Sequence, residues 1–175
     1  MMNNNSIPLQ NTTDKTSEPI IKIIGFGNVY MGDDGVGIRV IEKIKEQGIF
    51  ADYSNIEVID CGTSGVDLIF FLQQADKVIV IDAVDAGQGI GEVVTFSIGE
   101  IINFGNKVIK SFSLHDINLK EVFELIRALK IEKDLKIIGI NPKEVYYGEK
   151  LSPQIENKIP QIISIIKKEA GISNL

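Results

Sequence analysis

The chain has 175 residues, with 24 Asp and Glu against 18 Lys and Arg and a formal net charge of −6. That length suits one domain with a substantial core, and the acidic balance argues against nucleic acid or an anionic membrane surface as partner, since both select basic faces. The single cysteine, Cys61, excludes an internal disulfide and a thiolate metal cluster.

Residues 1–18 are polar and rich in Asn, Thr and Ser, without the apolar centre of a signal peptide. They are expected to form a disordered arm ahead of a single α/β domain over 19–175. No apolar run approaches the roughly 20 residues that a membrane helix needs. The expected location is the cytoplasm, and the expected state a monomer, because no helix shows an extra apolar face.

Pro19–Gly25 reads as a buried strand, its isoleucines interrupted only by Lys22. From Gly35 the period changes: Val36, Val40, Ile41 and Ile44 share one helical face, and Gly48 is a stop. Ile56–Ile59 is a second strand, running into the turn Asp60-Cys61-Gly62-Thr63-Ser64-Gly65 and a helix over Val66–Gln74. Lys77–Ala83 is a third strand whose continuous β-branched run suggests burial on both faces, hence a central position. Asp85–Gly89 is a loop. Gly91–Ile98 alternates and reads as an antiparallel edge strand. Leu119–Leu129 is a helix, and Leu135–Ile140 the last strand, stopped at Asn141-Pro142. Ser152-Pro153 supplies an N-cap and first position for the final helix, which Pro160 should kink. Alternating strands and helices predict a three-layer α/β/α fold around a mostly parallel twisted sheet of about five strands, with one antiparallel edge strand.

Three places carry chemistry. The first is Gly25-Phe26-Gly27-Asn28 followed by Gly32-Asp33-Asp34-Gly35, where a strand ends and a helix begins. A dinucleotide fingerprint would need a third glycine at Tyr30, and two carboxylates there would repel a pyrophosphate. The acids can instead cap the helix and complement its dipole, a role that suits Asp33; Asp34 divides evenly between cap and functional group. The second is Asp82, ending an otherwise apolar strand, where open α/β sheets place groups facing the crevice. The third is His115, the sole histidine, just before a helix. One imidazole and two carboxylates make a familiar divalent-metal donor set. Cys61 would be a nucleophile only beside a base; an inert buried thiol is the commoner outcome.

In order along the chain stand Gly25-x-Gly27-Asn28-x4-Asp33-Asp34-Gly35-x-Gly37, Asp60-x-Gly62-Thr63-x-Gly65, Ile81-Asp82-Ala83, Ser113-x-His115, Gly139-Ile140-x-Pro142 and Gly148-x2-Leu151-Ser152-Pro153. This ordered set resembles the hydrogenase maturation endopeptidases from about Ile21 to Lys168. The resemblance implies an endopeptidase that removes a C-terminal extension from the large-subunit precursor of a nickel–iron hydrogenase once nickel is loaded. It implies Asp34, Asp82 and His115 as catalytic and nickel-contacting residues. The nickel is expected to be supplied by the substrate, with no metal held permanently. The nickel would polarise the carbonyl or activate water, and the base stays open between Asp33 and Asp34. A nickel-dependent checkpoint or chaperone that binds the precursor without cutting it is the alternative. Cys61 departs from the family's usual glycine, and Lys143 separates Pro142 from Glu144, so Glu144 receives no role.

Overall fold

The computed structural model describes residues 18–100, 111–112 and 119–172. The polar arm, apart from Glu18, and His115 lie outside the described residues.

Among the described residues six strands form one sheet: β1 (Ile21–Gly25), β2 (Ile56–Asp60), β3 (Lys77–Asp85), β4 (Val93–Ser97), β5 (Ser111–Phe112) and β6 (Asp134–Ile140). Five lie in the order β2-β1-β3-β6-β4, and β5 pairs with the far end of β3. The β1–β2, β1–β3 and β3–β6 pairs are parallel; β4 runs antiparallel to β6 at the edge. This agrees with the architecture expected from the alternation of elements, β3 central and β4 at the edge included. β3 extends two residues beyond the expected Lys77–Ala83, and the added Val84 and Asp85 pair with Phe112 and Ser111.

The sheet's two faces bury separate apolar sets. Ile21 and Ile23 of β1, Ile79 and Ile81 of β3 and Ile138 and Ile140 of β6 meet α1 (Val36–Glu46) and α5 (Ile159–Glu169). Ile24, Val78, Val80, Leu135 and Ile137 meet α2 (Asp67–Gln74) and α3 (Leu119–Ala128) through Leu68, Leu72 and Ile126. Strand alternation dictates this split, since successive side chains point to opposite faces. Truncating one of these fully buried side chains to alanine costs about 2–5 kcal/mol. Lys22 enters the core because Glu57, opposite it in register, forms an ion pair with its Nζ, which also lies 5.6 Å from the Phe71 ring centroid.

Two expectations about the last helices need correction. Pro160 does not kink a helix. The chain breaks after α4 (Pro153–Glu156), and Pro160 stands at the start of α5, where its missing N–H has no intrahelical partner to lose. Ser152 occupies the N-cap position of α4 but makes no side-chain cap bond; its hydroxyl is used elsewhere. Phe70 in α2 and Leu125 in α3 are 56% and 43% exposed. Among the described residues, no helix is long and apolar enough to cross a membrane.

Candidate active site

From β1 the chain passes over one face through α1 to β2, then over the other face through α2 to β3 on the opposite side of β1. The connections therefore diverge at the carboxyl ends of β1 and β3. Open α/β sheets bind ligands in the crevice formed at such a switch point. Asp34 follows β1 and Asp82 lies near the end of β3, so both belong to this end of the sheet.

Close backbone approach fixes the β1 side. The Phe26 amide donates to the Ile81 carbonyl at 2.9 Å, next to Asp82. A Cβ on Gly37 would collide with the carbonyl oxygens of Phe26 and Ile81, so only glycine lets α1 seat against both strands. Ahead of α1 the residues Gly32–Gly35 form a single 3-10 turn that packs against β3. The chain folds back over itself there: the Asn28 amide donates to Asp34 Oδ2 at 3.0 Å, and the Asn28 Oδ1 accepts from the Tyr30 amide at 3.0 Å.

Asp34 and Asp82 are each 1% exposed. Buried carboxylates are costly unless hydrogen-bonded, paired or metal-bound. Asp82 Oδ1 accepts from the Ala83 amide at 2.8 Å, as Asp34 accepts from Asn28. The segment holding His115 is bounded by β5, paired to Val84 and Asp85 just beyond Asp82, and by α3, which packs on α2. The histidine itself is outside the described residues. Among those described, no group of three His, Cys, Asp or Glu side chains stands ready to hold a metal ion.

Asp33 is not a helix cap, contrary to the reading that suited it from sequence. Neither the 3-10 turn nor α1 has a side-chain cap bond. The Asp33 carboxylate is fully buried and turns away to a segment more than a hundred residues later. Its Oδ2 accepts from the amides of Lys143 at 3.0 Å and Glu144 at 2.9 Å and from Ser152 Oγ at 2.9 Å; its Oδ1 accepts from the Ser152 amide at 2.6 Å. Both oxygens of Asp33 thus already accept hydrogen bonds from this segment. The clamp was not read from sequence. The only hint of it was that Ser152 recurs beside Gly148 in the ordered motif set. On the outer side of the clamp, a cleft of about 700 Å³ is lined by Arg39, Lys43, Glu144, Tyr146 and Ser152 among others, and it includes neither Asp34 nor Asp82.

The turn after β2 is tight, as expected. The Cys61 amide donates to the Gly25 carbonyl, the Gly27 amide to the Gly62 carbonyl, and Gly62 to Asp60 Oδ1 at 2.9 Å. Cys61 Sγ reaches the Ser64 carbonyl at 3.5 Å. Burial, together with the negative charges of Asp67 and Asp60, pushes its thiol up to about 12. A thiol so reluctant to ionise is a poor nucleophile. Asp85, expected in a loop, is instead the last residue of β3, and its carboxylate accepts from the Gly87 amide at 2.9 Å.

Known proteins resemble this chain in sequence and fold. The sequence profile of the hydrogenase maturation protease family matches residues 38–169. The hydrogenase expression/formation protein HupD of Thiocapsa roseopersicina is 33% identical over 151 residues, which cover 85% of this chain and 66% of that protein. The hydrogenase 2 maturation protease of Escherichia coli strain K12 is 26% identical, over 87% of this chain and 93% of its own. Among solved structures, the [NiFe] hydrogenase maturation protease HybD from Thermococcus kodakarensis superposes with a TM-score of 0.68 at 28% identity, covering 86% of this chain and 99% of that one. The profile match runs from α1 through every later strand to the end of α5, and by that match the chain belongs to the hydrogenase maturation protease family.

Proposed function

We propose that this protein is an endopeptidase that removes the C-terminal extension of a nickel–iron hydrogenase large-subunit precursor after nickel insertion. The observation that carries the reading is the placement of two buried carboxylates, Asp34 and Asp82, at the switch point between β1 and β3. The names of the relatives and the nickel–iron hydrogenase of the Thermococcus kodakarensis protein support the substrate class.

In this reading Asp34, Asp82 and His115 contact the nickel that arrives with the precursor. Two carboxylates and an imidazole suit a borderline divalent ion while leaving positions open to its other ligands. The contacts hold the scissile peptide at the crevice mouth, and orientation of this kind contributes on the order of 7–11 kcal/mol in favourable cases. Of the acidic pair, Asp34 is the member that meets substrate, because both Asp33 oxygens already serve the clamp. Hydrolysis adds water across the amide. The nickel polarises the carbonyl or lowers the pKa of the attacking water. A precursor without nickel lacks the feature that these residues hold, so cleavage reports on loading.

The test uses purified protein with metal-free and nickel-loaded precursor, followed by mass spectrometry. Loss of the C-terminal tail from the loaded form alone is the expected result. Equal cutting of both forms removes the metal gate; binding of the loaded form with no loss of mass replaces the protease by a checkpoint.

A further inference from the structure

We infer that Asp33 is a positioning residue of this protease: it sets the orientation of Asp34 and takes no part in bond breaking. The inference rests on the proposed role of Asp34 at the substrate.

The turn that carries Asp34 is too short to hold itself. It has four residues, and it begins at Gly32, whose φ of +59° leaves the backbone in a left-handed conformation. Isolated helical segments of this size are unstable without outside contacts. The contacts come from the segment after β6. The Asp33 amide donates to the Glu144 carbonyl at 3.0 Å, the Gly32 amide to the Gly148 carbonyl at 2.7 Å, and the Gly148 amide to the Tyr30 carbonyl at 2.8 Å. These are backbone bonds that most residue types would permit. The side chain of Asp33 adds four more acceptor contacts to the same segment, the two to Ser152 buried and the two to Lys143 and Glu144 part-buried.

A carboxylate is what such a convergence of donors requires. Three amides and one hydroxyl point at a single side chain, and an ionised acid accepts on both oxygens without offering a donor in return. An asparagine of the same shape would turn an NH2 group toward some of them. Consecutive Cα atoms are about 3.8 Å apart, so a shift of the Asp33 anchor carries Asp34 with it. A misplacement of about 1 Å at a reacting centre costs on the order of 100-fold in rate.

The test measures cleavage of nickel-loaded precursor by wild type, Asp34→Asn, Asp33→Asn and Ser152→Ala, each well below its own melting temperature. Asp33→Asn is expected to lower kcat on the order of 10- to 100-fold with KM within about twofold. Ser152→Ala keeps the carboxylate and the Ser152 amide but loses the hydroxyl; its kcat should fall by about 2- to 10-fold, again with KM held. A purely structural clamp lowers the melting temperature and leaves kcat of the folded variants at the wild-type value. That result, with Asp34→Asn inactive, overturns the positioning role alone. A fully active Asp34→Asn overturns the reading of Asp34 and the positioning role together. Should Asp33→Asn fail to fold, Ser152→Ala decides: unchanged kcat overturns the inference, and reduced kcat at constant KM upholds it.

Discussion

Asp33 and Ser152, separated by 119 residues, are joined twice: the Ser152 amide and hydroxyl donate to the two oxygens of one buried carboxylate at 2.6 and 2.9 Å. This pair ties the turn after β1 to the start of α4. It explains why the serine at a helix N-cap position bonds the helix amides through its carbonyl and not its side chain.

Removing that carboxylate strands two buried donors, the Ser152 amide and hydroxyl, and two part-buried ones, the Lys143 and Glu144 amides. Each buried donor left unsatisfied costs about 1–3 kcal/mol. Asp33→Ala should therefore lower the free energy of unfolding by about 3 kcal/mol or more, read as a shift of the urea midpoint. A change below about 1 kcal/mol would show that water replaces the carboxylate.

Asp34→Asn, Asp82→Asn and His115→Ala should each reduce cleavage of loaded precursor by at least about 100-fold. Asparagine still offers an oxygen to the Asn28 or Ala83 amide, so the melting temperatures of the first two should stay within a few degrees of wild type. Unfolding of these variants with cleavage retained in any folded fraction would assign the carboxylates to structure.

Gly37 and Gly48 separate two uses of glycine. A methyl at Gly37 meets the backbone of Phe26 and Ile81, which cannot turn aside, so Gly37→Ala should cost about 3 kcal/mol or more. Gly48 has φ +61° but only the Ala51 Cβ nearby, at 3.9 Å, so Gly48→Ala should cost about 1–2 kcal/mol of backbone strain. Thermal denaturation of the two variants side by side gives the ranking.

Cys61 should resist alkylation in the folded protein. Its thiol is raised from 9.0 to about 12, so the proton is retained across neutral and mildly alkaline pH. At pH 8 the thiolate fraction falls on the order of 1000-fold below that of an ordinary cysteine, and the thiolate is the reacting species. Iodoacetamide labelling followed by mass spectrometry should be slow in buffer and fast in denaturant. Rapid labelling in buffer would mean that the turn after β2 opens readily.

Much of the fold was legible because its signals are local. The unbroken apolar run 78–81 marked β3 as central, and the alternation over 93–98 marked β4 as an edge. Pro160 misled because a proline inside an apolar helical pattern looks the same whether it bends one helix or begins another. The chain turn at Asn157 and Lys158 decides between these, and its cause lies in packing.

For the site, the order of residues along the chain was enough to set its acids at strand ends. Asp34 follows β1 and Asp82 closes the apolar run of β3 whatever the rest of the chain does. The different surroundings of the two acids at 33 and 34 came from long-range contacts. Adjacent side chains on one short turn point in different directions, and the donors that claimed Asp33 arrive from beyond β6. Their arrival depends on how the whole sheet brings Gly148 and Ser152 beside Gly32, which no spacing along the chain encodes.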